Sequence, residues 1–170
     1  PTWFVQFYVW VLRGTPILLQ LYFFWIFLPR ATGIKIPDST CIIIALIVNA
    51  SSYVSEIIRA GIQAVDIGQT EAARSLGMTA RNTMTKIILP QAVKNILPAL
   101  GNEFITMIKQ ASLASVFFIN ELTTSYKTVA SATFRQVESI IIAGIIYLLV
   151  TTILGRIMAY AEWRMKQNER

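Results

Sequence analysis

The chain has 170 residues, 55% of them hydrophobic and 14% charged, with a mean hydropathy of +0.57 and a net charge of +6. Soluble domains carry roughly 25% charged residues, so this chain is too apolar to cover itself in water and reads as an all-α integral membrane protein. One cysteine (Cys41) and no histidine exclude a disulfide scaffold, zinc-type metal sites and most nucleophile–base pairs, and basic residues beside a membrane set orientation rather than bind nucleic acid.

In chain order, Pro1–Arg13 is rich in aromatic residues (Trp3, Phe4, Phe7, Tyr8, Trp10) and suits an interfacial approach to the first span. Gly14–Pro29, Ser39–Ser55 and Ser139–Gly155 each lack any Asp, Glu, Lys or Arg. Leu97–Ile119 is apolar apart from Glu103 and Lys109. A helix needs about 20 mostly apolar residues to cross the hydrocarbon layer, so four spans are expected over about 14–29, 39–58, 97–119 and 139–158. All belong to a single transmembrane domain covering 1–170. The missing initiator methionine leads us to expect an N-terminal truncation.

Ten basic residues (Arg13; Arg59, Arg74, Arg81, Lys86 and Lys94; Arg156, Arg164, Lys166 and Arg170) fall on one side of these spans, against four on the other (Arg30, Lys35, Lys127 and Arg135). The positive-inside rule makes the first side cytosolic, with Thr79 and Asn168 inside and Ile36 and Thr128 outside.

The cytosolic loop, about 59–96, is too long to be a simple connection. A short helix is expected around Glu71, with that carboxylate in its first turn, Gly77 as its stop and Thr79 capping the next helix. Ala73 and Gly77 are four apart and share a face that can approach a partner's backbone closely. Pro90 and Pro98 are expected to interrupt the chain before the third span.

Polar residues inside spans mark pathways or packing bonds. At about 100° per residue, Asn102, Glu103, Thr106, Lys109 and Gln110 fall within an arc of about 120°, and Asn49, Ser52, Tyr53 and Glu56 within about 100°. Two such stripes can line a route for a small polar solute. The alternative is hydrogen bonding between helices, with Glu103 paired to Lys109 or to another chain; Glu56 is expected to pair with Arg59. No nucleotide-binding motif is present, so energy from ATP requires a separate subunit.

Glu71-Ala72-Ala73, Gly77, Ile87 and Leu89-Pro90 resemble the EAA loop of ABC importer permeases. The likeness continues through Arg13-Gly14-Thr15-Pro16, Leu18–Leu21, Tyr53–Gln63, Asn102–Ile105, Lys109–Leu113, Glu121-Leu122 and Thr133-Phe134-Arg135, and points to the polar amino-acid (histidine/glutamine/arginine) type.

The resemblance implies a type I permease of a bacterial cytoplasmic membrane, five-spanning in the full chain, with a coupling helix formed by Glu71, Ala72, Ala73, Leu76 and Gly77. It implies two ATPase subunits that hold ATP and Mg, a second permease chain, identical or paralogous, and an extracytoplasmic solute-binding protein. This chain itself is expected to hold no cofactor and to catalyse no reaction. Where the family has Lys-Asp-Thr-Ser-Leu, this sequence has Lys109-Gln110-Ala111-Ser112-Leu113. Loss of that carboxylate leads us to expect a neutral, glutamine-like solute before an acidic one, with arginine or lysine last. A passive channel or structural membrane subunit is the competing reading, and neither needs a helix presented to a cytosolic partner.

Overall fold

The computed structural model describes residues 2–167; Pro1, Asn168 and Arg170 lie outside them. The described residues form helices α1 (Thr2–Gly14), α2 (Ile17–Thr32), α3 (Asp38–Gln63), α4 (Ile67–Ser75), α5 (Ala80–Thr83), α6 (Leu89–Gln110), α7 (Leu122–Thr133) and α8 (Gln136–Gln167), with a π-helical turn at Met84–Ile88 and a 3-10 helix at Ala111–Phe117.

Two helices, α3 and α8, are long and apolar enough to cross a membrane, and α1 with α2 makes a third candidate bent by 110°. The aromatic N-terminal segment is therefore a helix in its own right, and the first apolar run forms the limb that follows the bend. The third run is not one helix. Within α6, Lys94, Asn102, Glu103 and Lys109 lower its apolar character, and the α-helix ends at Gln110. There the Ser112 hydroxyl donates to the Lys109 carbonyl (2.7 Å), the kind of local bond that competes with helix continuation.

The segment read as a loop is helical almost throughout, and Pro98 lies inside α6 rather than interrupting it. Pro90 follows directly on the π-turn, in which Leu89 N–H donates to the Met84 carbonyl five residues back. A proline ring crowds the carbonyl four residues before it, and a wider turn there relieves the clash.

The chain divides into two compact units, one of Pro1–Tyr53 with Ile105–Leu154, the other of Val54–Phe104 with Gly155–Arg170. The first is centred on Leu21, Ile42, Ala45, Ala114 and Phe117. Tyr22 and Trp25 lie against the Phe117 ring at 4.8 and 5.5 Å, and Trp25 Nε1 donates to Asp38 (2.8 Å), tying α2 to the start of α3. Gln20 braces the bend: its Nε2 donates to the Leu12 carbonyl (2.7 Å), which has no partner within α1, and to Thr15 Oγ1 (2.8 Å).

In the second unit, close contacts replace large side chains. A Cβ on Gly61 would strike the Ile96 side chain, and one on Gly101 would strike Met158. α3 and α8 thus approach α6 where glycine leaves room.

Candidate functional site

The EAA segment begins with a capped helix. Asp66 Oδ1 accepts from Gly68 N–H (2.7 Å) and starts α4, so Glu71 lies in the second turn and not in the first. The end of α4 is a Schellman turn: Met78 N–H donates to the Ala73 carbonyl (3.1 Å), Gly77 N–H to the Arg74 carbonyl (3.0 Å), and Gly77 takes φ 79°. Arg74 Nη1 closes on the Met78 carbonyl (2.9 Å). Thr79 then caps α5 as expected, its Oγ1 accepting from Asn82 N–H (3.3 Å).

The expected small-residue face is not presented as such. Ala73 is buried within its own unit, whereas Glu71, Ala72, Leu76 and Gly77 are exposed. Ala73 points inward because α4 needs an apolar footing, and it serves as that footing. The outward apolar groups are Leu76, 84% exposed at the C-cap, and Ile67, exposed at the start of the helix. Nothing lies within 4 Å of a Cβ built on Gly77, so that residue is required for its backbone conformation rather than for close approach inside the chain.

The two polar stripes meet different fates. On α3, Asn49 and Ser52 are buried, and Asn49 Nδ2 donates to Gln20 Oε1 (2.9 Å) while Ser52 Oγ donates to the Asn49 carbonyl (2.7 Å). Tyr53 is half-buried with the Arg13 guanidinium 5.4 Å from its ring centre. Asn49 thus joins α3 to α2 and Tyr53 meets α1, while the Ser52 bond stays within α3. Glu56 pairs with Arg59 as expected, through Arg59 Nε at 2.9 Å and a second, shorter bond.

On α6, Asn102 and Lys109 are exposed, and Glu103, Thr106 and Gln110 half-buried. Glu103 and Lys109 lie six residues apart, separated by about 9 Å of helix rise. Neither stripe contributes to the apolar groove between α1 and α2 or to the two clefts beside α7.

Sequence reasoning missed several partners. Gln20 lies in the first apolar run, where a lone amide among Leu18, Leu19 and Leu21 is a signal of a buried bond. Glu121 caps α7 with both oxygens, accepting from the Thr123 and Thr124 N–H groups (2.7 Å each), and accepts from the Tyr147 hydroxyl (3.1 Å). Its position just before Leu122-Thr123-Thr124 is the sequence signal for that cap. The first cleft, an apolar groove of about 450 Å³, lies between α1 and α2 and includes Phe4, Tyr8, Leu19 and Phe23.

Residues 1–167 match the family described as the binding-protein-dependent transport system inner membrane component. The arginine transport system permease protein ArtQ of Bacillus subtilis (strain 168) is 41% identical over 167 residues, covering 98% of this chain and 76% of the relative. The glutamine transport system permease protein GlnP of Escherichia coli (strain K12) is 34% identical over 160 residues, covering 94% of this chain and 73% of that one. The crystal structure of an amino acid ABC transporter with histidines superposes with a TM-score of 0.88 at 47% identity, over 94% of this chain and 74% of that one. A match along almost the whole chain, at these identities and with the same fold, leaves one assignment: the chain belongs to the family of binding-protein-dependent transport system inner membrane components.

Proposed function

We propose that this chain is the permease subunit of an ATP-driven importer of polar amino acids. It works with a second permease chain and a solute-binding protein outside, and with ATPase subunits that hold ATP and Mg inside. The observation that carries the coupling part is α4: a nine-residue helix fixed at one end by Asp66 and at the other by the Gly77 turn, with Leu76 held out in solvent. An exposed leucine on a rigid, doubly capped helix suits insertion into an apolar groove of a partner. Glu71, Ala72 and Gly77 complete that surface, and Ala73 supports it from beneath.

In this reading α4 and the C-terminus are cytosolic, and the polar residues of α6 (Asn102, Glu103, Thr106, Lys109 and Gln110) meet the solute in the assembled transporter. Asn49, Ser52 and Tyr53 frame that route, Asn49 through its bond to Gln20 and Tyr53 through its contact with Arg13. ATP binding at the partner moves α4 and alternates access to the route. The arginine and glutamine systems named for two relatives support a polar amino acid as solute; Gln110 favours a neutral one.

Co-purification of an ATPase with the chain, followed by solute-stimulated ATP hydrolysis in the reconstituted complex, tests the proposal. Leu76→Ser is expected to assemble into the membrane normally and to lower the stimulation at least fivefold, in keeping with loss of a buried apolar anchor. Undiminished stimulation in that variant would remove α4 as the coupling element.

A further inference from the structure

A second cleft lies wholly within the first unit, and its mostly apolar surface carries polar groups on both walls. It measures about 580 Å³, within the usual range for small-solute sites. One wall is Thr124, Lys127, Thr128 and Ser131 of α7; the other is Ser115 and Phe118 from the segment before that helix. The spacing of 124, 127, 128 and 131 is that of one helix face, so the sequence of α7 builds the wall.

The hydrogen bonds already made divide the cleft into two poles. Lys127 Nζ donates to Ser115 Oγ (3.3 Å), which leaves the hydrogen of the buried Ser115 hydroxyl, and the remaining ammonium hydrogens, to donate elsewhere. Thr124 Oγ1 donates to the Ile119 carbonyl (2.6 Å) and Thr128 Oγ1 to the Thr124 carbonyl (3.0 Å), so both hydroxyls offer lone pairs. The Glu121 carboxylate lies 3.2 Å from Thr124 Oγ1 and adds negative charge behind that pole. At the rim, Phe118 takes φ 57°, a left-handed conformation that costs a bulky residue energy, and is 89% exposed. Strain of this kind gathers at ligand clamps, and an aromatic face attracts cations.

We propose that this cleft recognises the backbone end of a free amino acid, its carboxylate at Lys127 and Ser115 and its ammonium at Thr124 and Thr128 beside Phe118. The inference rests on the amino-acid reading above and adds a site outside both polar stripes. It grips the part that all amino acids share, so it sets no preference among side chains. The charge count places Lys127 on the outer side, where a solute arrives.

The test uses the whole transporter in lipid nanodiscs, without the solute-binding protein, and measures binding of labelled glutamine and labelled arginine, with glutamine amide and arginine amide as competitors. Lys127→Gln is expected to weaken both probes by about tenfold, the effect of losing one charge-assisted bond. Lys127→Arg should restore most of the binding, and Ser115→Ala and Thr128→Val should each weaken it less. The amides, which lack a carboxylate, should compete poorly with the wild type. Unchanged binding of both probes in Lys127→Gln and Ser115→Ala, with uptake by the wild type intact, would overturn the cleft and leave the transport reading standing. Binding that follows the anionic lipid content of the nanodisc would assign the cleft to a headgroup and also overturn it. A wild-type complex that neither binds nor imports any amino acid would remove the transport reading, and this proposal with it.

Discussion

Gly77 shows how one residue can be read correctly in kind and incorrectly in purpose. Its position after an alanine-rich helix marks a helix stop, and φ 79° with the Schellman bonds is that stop. The expectation that it serves close approach came from its spacing to Ala73, which spacing alone cannot orient. Burial of Ala73 turns that face inward and leaves Leu76, with Ile67, as the outward apolar groups. Gly77→Ala should therefore cost about 1–2 kcal/mol of stability from the left-handed backbone, lowering the thermal midpoint of the purified complex. Leu76→Ser should leave that midpoint unchanged; a loss of stability there would show that Leu76 is covered within the chain.

Asn49 belongs to the same scale. Because its amide donates to Gln20, which in turn caps α1, Asn49→Leu should destabilise the protein by about 1–3 kcal/mol through the acceptor it leaves buried. Denaturation of the purified protein in detergent checks this, and an unchanged midpoint would mean that water replaces the bond.

Helices rather than loops are the units on which sequence reading did best and worst. The apolar runs were legible because a bilayer demands continuous hydrophobicity, and α3 and α8 cover two of them in full. The third run misled because Ala111–Ile119 lacks charge whether it is α-helical or not, and the α-helix gives way at Ala111, beside the Ser112 bond, to a 3-10 helix that closes at Phe118. Pro98 misled in the opposite direction: a proline signals a break, but a 22-residue helix with neighbours packed against it at Ile96 and Gly101 absorbs one. The contacts of Gly61 with Ile96 and of Gly101 with Met158 were not legible, since nothing local distinguishes a packing glycine from a flexible one. Substitution should reveal them. Gly61→Val and Gly101→Val should each reduce the yield of folded, membrane-inserted protein more than Gly144→Val, around which there is open space. Equal yields would mean that the helices adjust.

For the whole molecule, the direction of insertion is what the charge count predicts. Ten basic residues against four predict that a cysteine at Thr79 is protected from an impermeant reagent in intact cells and that cysteines at Ile36 and Thr128 are labelled, in a Cys41→Ser background. Labelling at position 79 from outside would reverse the orientation. The transported solute is a property of the same scale. Gln110 in place of the family's aspartate predicts that unlabelled glutamine competes with labelled glutamine uptake more strongly than arginine does, and arginine as the stronger competitor would overturn that order. The partner chains, by contrast, leave no trace in composition, because a docking face differs from a lipid-facing one only in what meets it.

The bend between α1 and α2 has a mechanical consequence. Thirteen residues of α1 make a rigid arm about 20 Å long, set at 110° to α2 and braced at the elbow by Gln20. Held at that angle, the arm magnifies rotation: a tilt of about 10° in α2 sweeps the far tip through roughly 3 Å. Trp3, Phe4 and Phe7, on the first turns of α1, have exposed rings. Any rocking of α2 would drag those rings through the surrounding medium, and the viscosity of that medium would oppose it.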